Sequence, residues 1–570
     1  MQQTRTSLGR AGRATLSAVW AVAPGSLIVS TVAALALGAV PPLQLWLVGQ
    51  LVSAVADGGD FVRIAPPVVA MGLLLGIMAG INSLLSAATK RLEFRVSAWA
   101  QDRLLLSAGS QSPAVMENPA ERDALEADWE TARSRMAPLL MNLFHRVGQV
   151  VTIVGTIIVV SQISILGTLF LIGAAIPPLF AVPMLFRVHS KAYEEAAALD
   201  RVTASLGVFA VSADGFMDSV VSHYQAALRR THGEFVRRSH EQQLHATNLE
   251  ARVVLVSAIA TAACVIAAFF AMLNSGNLTA GGVAVAVASV TVLGALTEVV
   301  FAAGELVRDS LLVARLVKRI DSAREPRRAA RTQPLGVEGV AVTDVSFTYL
   351  GAETPALADV STEFATGTVT CVVGRNGSGK STLLKLLAGV YEPTVGSVLP
   401  VGSAEPLNQL STSVLQGLPQ PPILLREYLT GDRAITDQTI FEHARLLGID
   451  FLTDSMLGSR IGREFRDGFS VSGGQWQKLA VLRLVLSPEP IWLLDEPSSA
   501  LDPEGELQIL DALRSLAGDR LVVLVSHRAS TALRADRVIM MDHGSIVLDG
   551  PPAQVSAAPA FTELFSAQLL

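Results

Sequence analysis

The stretch Thr368–Gly389, "TVTCVVGRNGSGKSTLLKLLAG", decides how the second half of the chain folds. Thr368–Val373 is a β-like apolar run, and the leucine-rich stretch after the loop reads as a helix. Between them, Gly374-Arg375-Asn376-Gly377-Ser378-Gly379-Lys380-Ser381 fits G-x-x-x-x-G-K-[ST]. The glycines let backbone N–H groups curl around a phosphate with no Cβ in the way. Lys380 can reach the outer phosphates of a nucleotide, and Ser381 offers a hydroxyl to Mg²⁺. The loop from Gly374 through Thr382 is therefore expected to hold nucleotide phosphates. Its strand–loop–helix setting makes a chance match a poor account.

Three downstream stretches extend this reading. In "PIWLLDEPSSALD" (490–502), Ile491–Leu494 has the form of a parallel strand buried on both faces, ending in two carboxylates. Alternation sends Asp495 and Glu496 to different faces, so Asp495 suits Mg²⁺ and Glu496 suits polarising a water. "RLVVLVSHR" (520–528) is another buried strand, ending at His527, which is placed to contact the outer phosphate. "VSGGQ" (471–475) opens a helix with small residues, leaving first-turn N–H groups free for an anion. Since the chain already has a phosphate loop, this second anion site needs its own explanation.

Composition points elsewhere for the first half. Of 570 residues, 50% are hydrophobic and only 16% charged, against roughly 25% charged in average soluble proteins. Mean hydropathy is +0.45, which indicates membrane spans. The net charge of −6 gives no reason to expect nucleic acid as a partner. Cys264 lies in an apolar run and Cys371 just before the phosphate loop, so no disulfide is expected. Cys371 reads as a small buried hydrophobe of a reduced cytosolic domain.

Six apolar segments reach the roughly 20 residues that a span requires: Ala21–Val55, Ile64–Ala88, Leu143–Ile163, Leu166–Val188, Val253–Leu273 and Val283–Gly304. The first is too long for a signal peptide, despite Arg5, Arg10 and Arg13 before it. Positive charges crowd two connections. Lys90, Arg91, Arg95, Arg103, Arg122, Arg133 and Arg135 follow the second segment, and Arg201, Arg229, Arg230, Arg237 and Arg238 follow the fourth. The other three connections contain Arg63 alone. The positive-inside rule then places both termini and both long loops in the cytoplasm.

Asn118, Pro119 and Glu121 are arranged as N-cap, first helical residue and first-turn acid of a helix in the first inward loop. The matching stretch of the second loop, "SADGFMDSVVSHYQAALRR", is less sharply capped. Ionisable residues within spans are costly: Glu298 and Glu305 in the sixth, His145 and Arg146 at the start of the third. They read as paired or near the boundary, though a cavity-facing Glu298 would favour cationic cargo. "REPRRAARTQPLG" (324–336) reads as a solvated linker at the membrane surface.

The phosphate loop, VSGGQ, LLDEP, SALD and the strand-end Ser-His, in that order, resemble the nucleotide-binding domain of the ABC transporter superfamily. Six preceding spans with long inward loops resemble its exporter-type half-transporters. The expected fold is a multidomain membrane protein: an all-α six-helix transmembrane domain (1–325), a linker (326–335) and an α/β P-loop ATP-binding cassette (336–570).

The resemblance implies further roles. Tyr349 would stack on adenine, and Gln416 would sense Mg²⁺ and face the membrane domain's loops. Asp502 would act between subunits, and Glu117–Leu125 and Gly215–Ser222 would be coupling helices. Ser472, Gly473, Gly474 and Gln475 would cap the ATP held by the loop of a second half-transporter, identical or different. The metal site would comprise Ser381, Gln416 and Asp495, with Glu496 and His527 catalytic. Val471 stands where leucine is usual, "LAVLRLVL" departs from the family's small residues while keeping Arg483, and Trp492 is large for its strand. No cysteine lies near the N-terminus, so a leader-cleaving peptidase domain is not expected.

The expected function is ATP-driven, Mg²⁺-dependent export of an amphipathic small molecule, lipid or peptide across the cell membrane by alternating access. Uptake of a siderophore or vitamin on the same fold, or an ATP-gated regulator or channel, are the alternatives.

Overall fold

The computed structural model describes residues 19–109, 111, 115–116, 118–274, 279–287, 309–310, 312–321, 336–417, 419–431, 433–462, 465–497 and 503–566. The chain divides into two compact units: Met1–Ser110 with Asp123–Glu325, and Gln111–Arg122 with Pro326–Leu570. The first is helical and the second α/β, so the expected fold class holds.

The helices before the α/β fold are α1 (Pro24–Ala56), α2 (Phe61–Gly109), α3 (Pro119–Ser134), α4 (Met136–Ser161), α5 (Ile165–Gly173), α6 (Ile176–Val211), α7 (Ala213–Val221) and α8 (Gln225–Leu273), the first four residues of α3 grouping with the second unit. Among the described residues four stretches are long and apolar enough to cross a membrane: Pro24–Ala56, Phe61–Gly109, Pro138–Ser161 and Gln225–Leu273. α2 runs on into a charged connection and α8 begins in one, so the polar loops are in large part continuations of the long apolar helices.

The expected fourth span, Leu166–Val188, is not one helix. It breaks after Gly173 and restarts at Ile176, because Pro177 and Pro178 have no N–H for a continuing ladder and fit only a first turn. Most of the sixth span, with Glu298 and Glu305, lies outside the described residues, as do the linker 326–335, Glu117 and Asp502.

Small residues let membrane helices meet closely. A Cβ on Gly38 of α1 would lie 2.3 Å from the Gly148 carbonyl of α4, and one on Gly148 would lie 2.9 Å from the Ala34 carbonyl. Thr152 donates its hydroxyl to the Gly38 carbonyl at 2.8 Å across the same seam. Lipid gives apolar helices no hydrophobic reason to associate, so close packing and interhelical hydrogen bonds must hold them. Within α4, Arg146 donates to Gln149 at 2.6 Å, and Gln149 lies 3.2 Å from His145.

Asn118 caps α3 through the Ala120 N–H at 3.0 Å, and the helix runs past Leu125 to Ser134. α7 is also capped, by Ser212 accepting from the Gly215 N–H at 3.1 Å, which the sequence reading did not anticipate. Asp128 of α3 is fully buried and accepts from Arg315 at 2.8 Å and Arg319 at 2.7 Å, both on the helical residues 312–321.

The α/β unit has two sheets. β1 (Gly339–Phe347), β2 (Leu357–Ala365) and β4 (Val395–Val401) form an antiparallel sheet in the order β2-β1-β4. β3 (Val369–Gly374), β5 (Ser411–Val414), β6 (Ile491–Asp495), β7 (Leu521–Val525), β8 (Arg537–Asp542) and β9 (Ser545–Gly550) form the order β5-β6-β7-β3-β8-β9. Only β9 is antiparallel to its neighbour in this larger sheet.

β6 is buried throughout, and its alternate residues face different cores. Ile491 and Leu493 pack with Leu383, Leu384 and Leu387, whereas Trp492 and Leu494 pack with Trp476, Leu479 and Leu482. The helix after the phosphate loop, α9 (Lys380–Leu387), thus lies on one face of the sheet. The helix opened by VSGGQ lies on the other. The large Trp492 is accommodated with no exposure, beneath the Arg520 guanidinium 4.6 Å from its ring.

Candidate active site

The parallel strands end level with one another. Val525 of β7 pairs with Val372 of β3 on one side and Asp495 of β6 on the other. Gly374, Asp495, Glu496 and His527 therefore emerge at one edge, the carboxyl ends of the strands, where open α/β sheets take ligands.

The phosphate loop's shape depends on glycine. Gly379 has φ +98°, and a Cβ there would lie 2.7 Å from both the Ala356 carbonyl and a Leu357 methyl. Lys380 follows directly and is buried, its ammonium donating to the Gly374 carbonyl at 3.0 Å and the Arg375 carbonyl at 2.9 Å. Burial pulls the Lys380 pKa below the usual lysine range, with Glu496 and Asp495 opposing the shift. Ser378 is buried; Arg375, Asn376 and Gly377 are exposed. Arg375 pairs with Glu563 at 2.7 Å on the surface.

Asp495 is buried, which raises its pKa; the Ser381 hydroxyl donates to it and acts in the lowering direction. Its Oδ1 has no hydrogen-bond partner among the described residues. A buried carboxylate oxygen left over beside a hydroxyl is a donor set that fits a hard cation such as Mg²⁺.

Glu496 lies just past the strand at φ +51°, a left-handed backbone unusual for a residue with a Cβ. Strand alternation therefore does not describe this pair; the reversal of the backbone separates Glu496 from Asp495. Glu496 Oε1 lies 2.6 Å from His527 Nε2, and Gln416 donates its amide to Oε2 at 3.3 Å. A carboxylate held on both oxygens, 21% exposed, can meet water in a fixed orientation.

Tyr349 lies against the loop's helix, its hydroxyl 3.0 Å from that of Thr382. Phe347 and Tyr391 stand edge-on to its ring at 4.9 and 5.7 Å, and the Lys385 ammonium lies 5.6 Å from the centre of each tyrosine ring. Tyr391 and Lys385 were missed in the sequence, although Lys385 sits in the quoted leucine run. Glu506 was missed too: it is buried behind the loop that carries His527.

The other anion site is built differently. Ser472 caps the helix through the Gln475 N–H at 3.3 Å, and Gln475 returns its side-chain oxygen to the Ser472 N–H at 3.0 Å. This capping box occupies the Ser472 hydroxyl and the Gln475 amide, leaving the Gly473 and Gly474 N–H groups at the helix end. The sheet lies between this helix and α9. Within one chain, the structure does not bring the two anion sites to one phosphate.

Comparison with known proteins concerns the family and the fold. Residues 357–499 match the ABC transporter family profile. An ATP-dependent lipid A-core flippase of Xanthomonas euvesicatoria is 33% identical over 323 residues, 54% of this chain and 54% of the relative. The nisin transport ATP-binding protein of Lactococcus lactis is 34% identical over 223 residues, 36% of each chain. The chain thus spans about half the length of the curated relatives it matches, or less. A bacterial Atm1-family ABC exporter solved with ATP bound superposes with a TM-score of 0.79 at 18% identity, covering 95% of this chain and 99% of that one.

Proposed function

We propose that this chain, which carries an ABC transporter ATP-binding domain and has the fold of an exporter-type half-transporter, is one half of an ATP-driven exporter. It would sit in the cell membrane, with both termini and the nucleotide-binding domain (336–570) in the cytoplasm. The observation that carries this is the meeting of Lys380, Asp495, Glu496, His527 and Gln416 at one sheet edge, in a chain with long apolar helices.

In this reading, Lys380 exchanges its contacts with the loop's own carbonyls for the outer phosphates of ATP. Ser381 and Asp495 would hold Mg²⁺, assisted by Gln416, and the ion supplies charge neutralisation along the phosphates when bound. His527 and Gln416 orient the Glu496 carboxylate, which accepts the proton of the attacking water. Tyr349 offers a ring to the adenine.

A second half-transporter, identical or different, would supply Ser472, Gly473, Gly474 and Asp502 to each site. ATP binding then favours the joined state, and α3 and α7 would act as coupling helices that pass the closure to the spans. Only the differential affinity of ATP for the joined state drives such a switch.

The cargo class is an amphipathic small molecule, lipid or peptide. The names of the relatives, a lipid flippase and a nisin transport protein, and the exporter fold support outward movement over uptake or ATP-gated conduction.

The test is reconstitution in vesicles with outward-facing ATP-binding domains. Glu496→Gln should bind Mg²⁺–ATP as the parent does yet lose hydrolysis by about 10²-fold or more, and ATP-dependent lipid or peptide movement with it. Normal turnover in the variant would overturn the role given to Glu496.

A further inference from the structure

His527 follows β7 by two residues and sets its Nε2 2.6 Å from Glu496 Oε1. The residues on either side of it are held from behind. Ser526 is buried, accepts from the Arg528 N–H at 3.1 Å, and donates its hydroxyl to Glu506 at 3.2 Å. Arg528 reaches the other carboxylate oxygen of Glu506 at 2.6 Å. Thr531, in the short helix Ala529–Arg534, also donates to Glu506. One carboxylate, 4% exposed, thus holds the residue before His527, the residue after it, and the first turn of the helix beyond.

Glu506 belongs to the helix Pro503–Ala517, whose first residue follows Asp502 directly. A buried carboxylate is costly unless its charge and lone pairs are met. Among the described residues its partners come from 526–531: two hydroxyls donate to Oε1, and the Arg528 guanidinium lies beside Oε2 as a charge partner. An apolar side chain would have filled the same space without fixing any direction.

We infer that Glu506 is a positioning residue for His527, gripping Ser526 and Arg528 so that the imidazole is presented to Glu496 and moves with the helix that follows Asp502. The inference rests on the reading of Glu496 and His527 as hydrolysis machinery, but the grip is a property of the fold and can be tested apart from turnover.

The experiment uses the full-length chain in lipid nanodiscs and two variants. Glu506→Ala removes every contact. Glu506→Gln keeps an oxygen for Ser526 and Thr531 but loses the ion pair with Arg528, and it carries the test if the alanine variant does not fold. Carbethoxylation of His527 by diethyl pyrocarbonate, read by mass spectrometry, reports how firmly the ring is held. It should run several-fold faster in Glu506→Ala, with Glu506→Gln between. Affinity for ATP should stay within about twofold of the parent while kcat falls about tenfold or more, since only part of a proton-transfer contribution is lost. Combining Glu506→Ala with His527→Ala should cost no more than His527→Ala alone.

An unchanged labelling rate in a folded variant, or additive losses in the double variant, would overturn the inference. Faster labelling in the variants alongside a parent that hydrolyses no ATP would leave the grip in place and remove the ATPase reading instead.

Discussion

At the scale of single residues, the site carries charge where the fold alone would not choose it. Burial raises the Asp495 pKa and lowers that of Lys380. For Asp495 the folded protein holds the proton more tightly than the unfolded chain does. Its contribution to stability is therefore full below the unfolded carboxylate value of about 3.9 and is lost as pH rises through the raised folded value. At neutral pH the ionised Asp495 costs stability. Asp495→Asn, melted without nucleotide or divalent cation, should therefore unfold at a higher temperature than the parent at pH 7. That advantage should close as pH falls towards about 4, while Mg²⁺-dependent ATP binding is lost at every pH. Melting curves across that range decide it: an asparagine variant that melts lower at pH 7, or a difference indifferent to pH, contradicts the argument.

At the scale of elements, what could be read from the sequence followed from how local each constraint is. The phosphate loop, the strand ending in Asp495 and the strand ending at His527 were legible because each needs a fixed residue type at a fixed offset from a strand end. The cap at Asn118 was legible for the same reason. The left-handed backbone at Glu496 was not, because a glutamate carries no signal for positive φ. The break at Gly173–Ala175 was hidden by hydropathy, which ran unbroken through Pro177 and Pro178. The Glu506 grip and the burial of Asp128 were beyond reach, since Asp128 meets its partners 187 and 191 residues away.

Asp128 shows the consequence. Arg315 is 46% exposed and Arg319 16% exposed, so water screens the first pair more than the second. Removing the buried member takes a shared carboxylate from both guanidiniums, so Asp128→Ala should cost about 2–4 kcal/mol, below the figure for a wholly buried pair. Arg319→Ala should cost less and Arg315→Ala least. Thermal unfolding of the detergent-solubilised variants gives the ranking, and a larger loss for Arg315→Ala than for Arg319→Ala would show that burial is not what sets it.

At the scale of the whole molecule, the decisive feature is that one sheet separates the chain's two anion sites. The loop at Lys380 and the helix end at Gly473 belong to cores on opposite faces of β6, so neither can be the other's partner within a protomer. In the half-transporter proposed above, an ATP site would therefore take its loop from one chain and its Ser472–Gly474 segment from another. Complementation follows from that geometry. Lys380→Ala alone and Ser472→Arg alone should each abolish hydrolysis in homodimers, because each lesion recurs in both shared sites. A heterodimer of the two variants collects both lesions in one site and leaves the other intact, with a sound loop from the Ser472→Arg chain and a sound helix end from the Lys380→Ala chain. Differently tagged chains, purified by tandem affinity as verified heterodimers, should therefore trap and hydrolyse ATP that neither variant handles alone. Sites confined to single chains would carry one lesion each, and the mixture would stay as inactive as its parts.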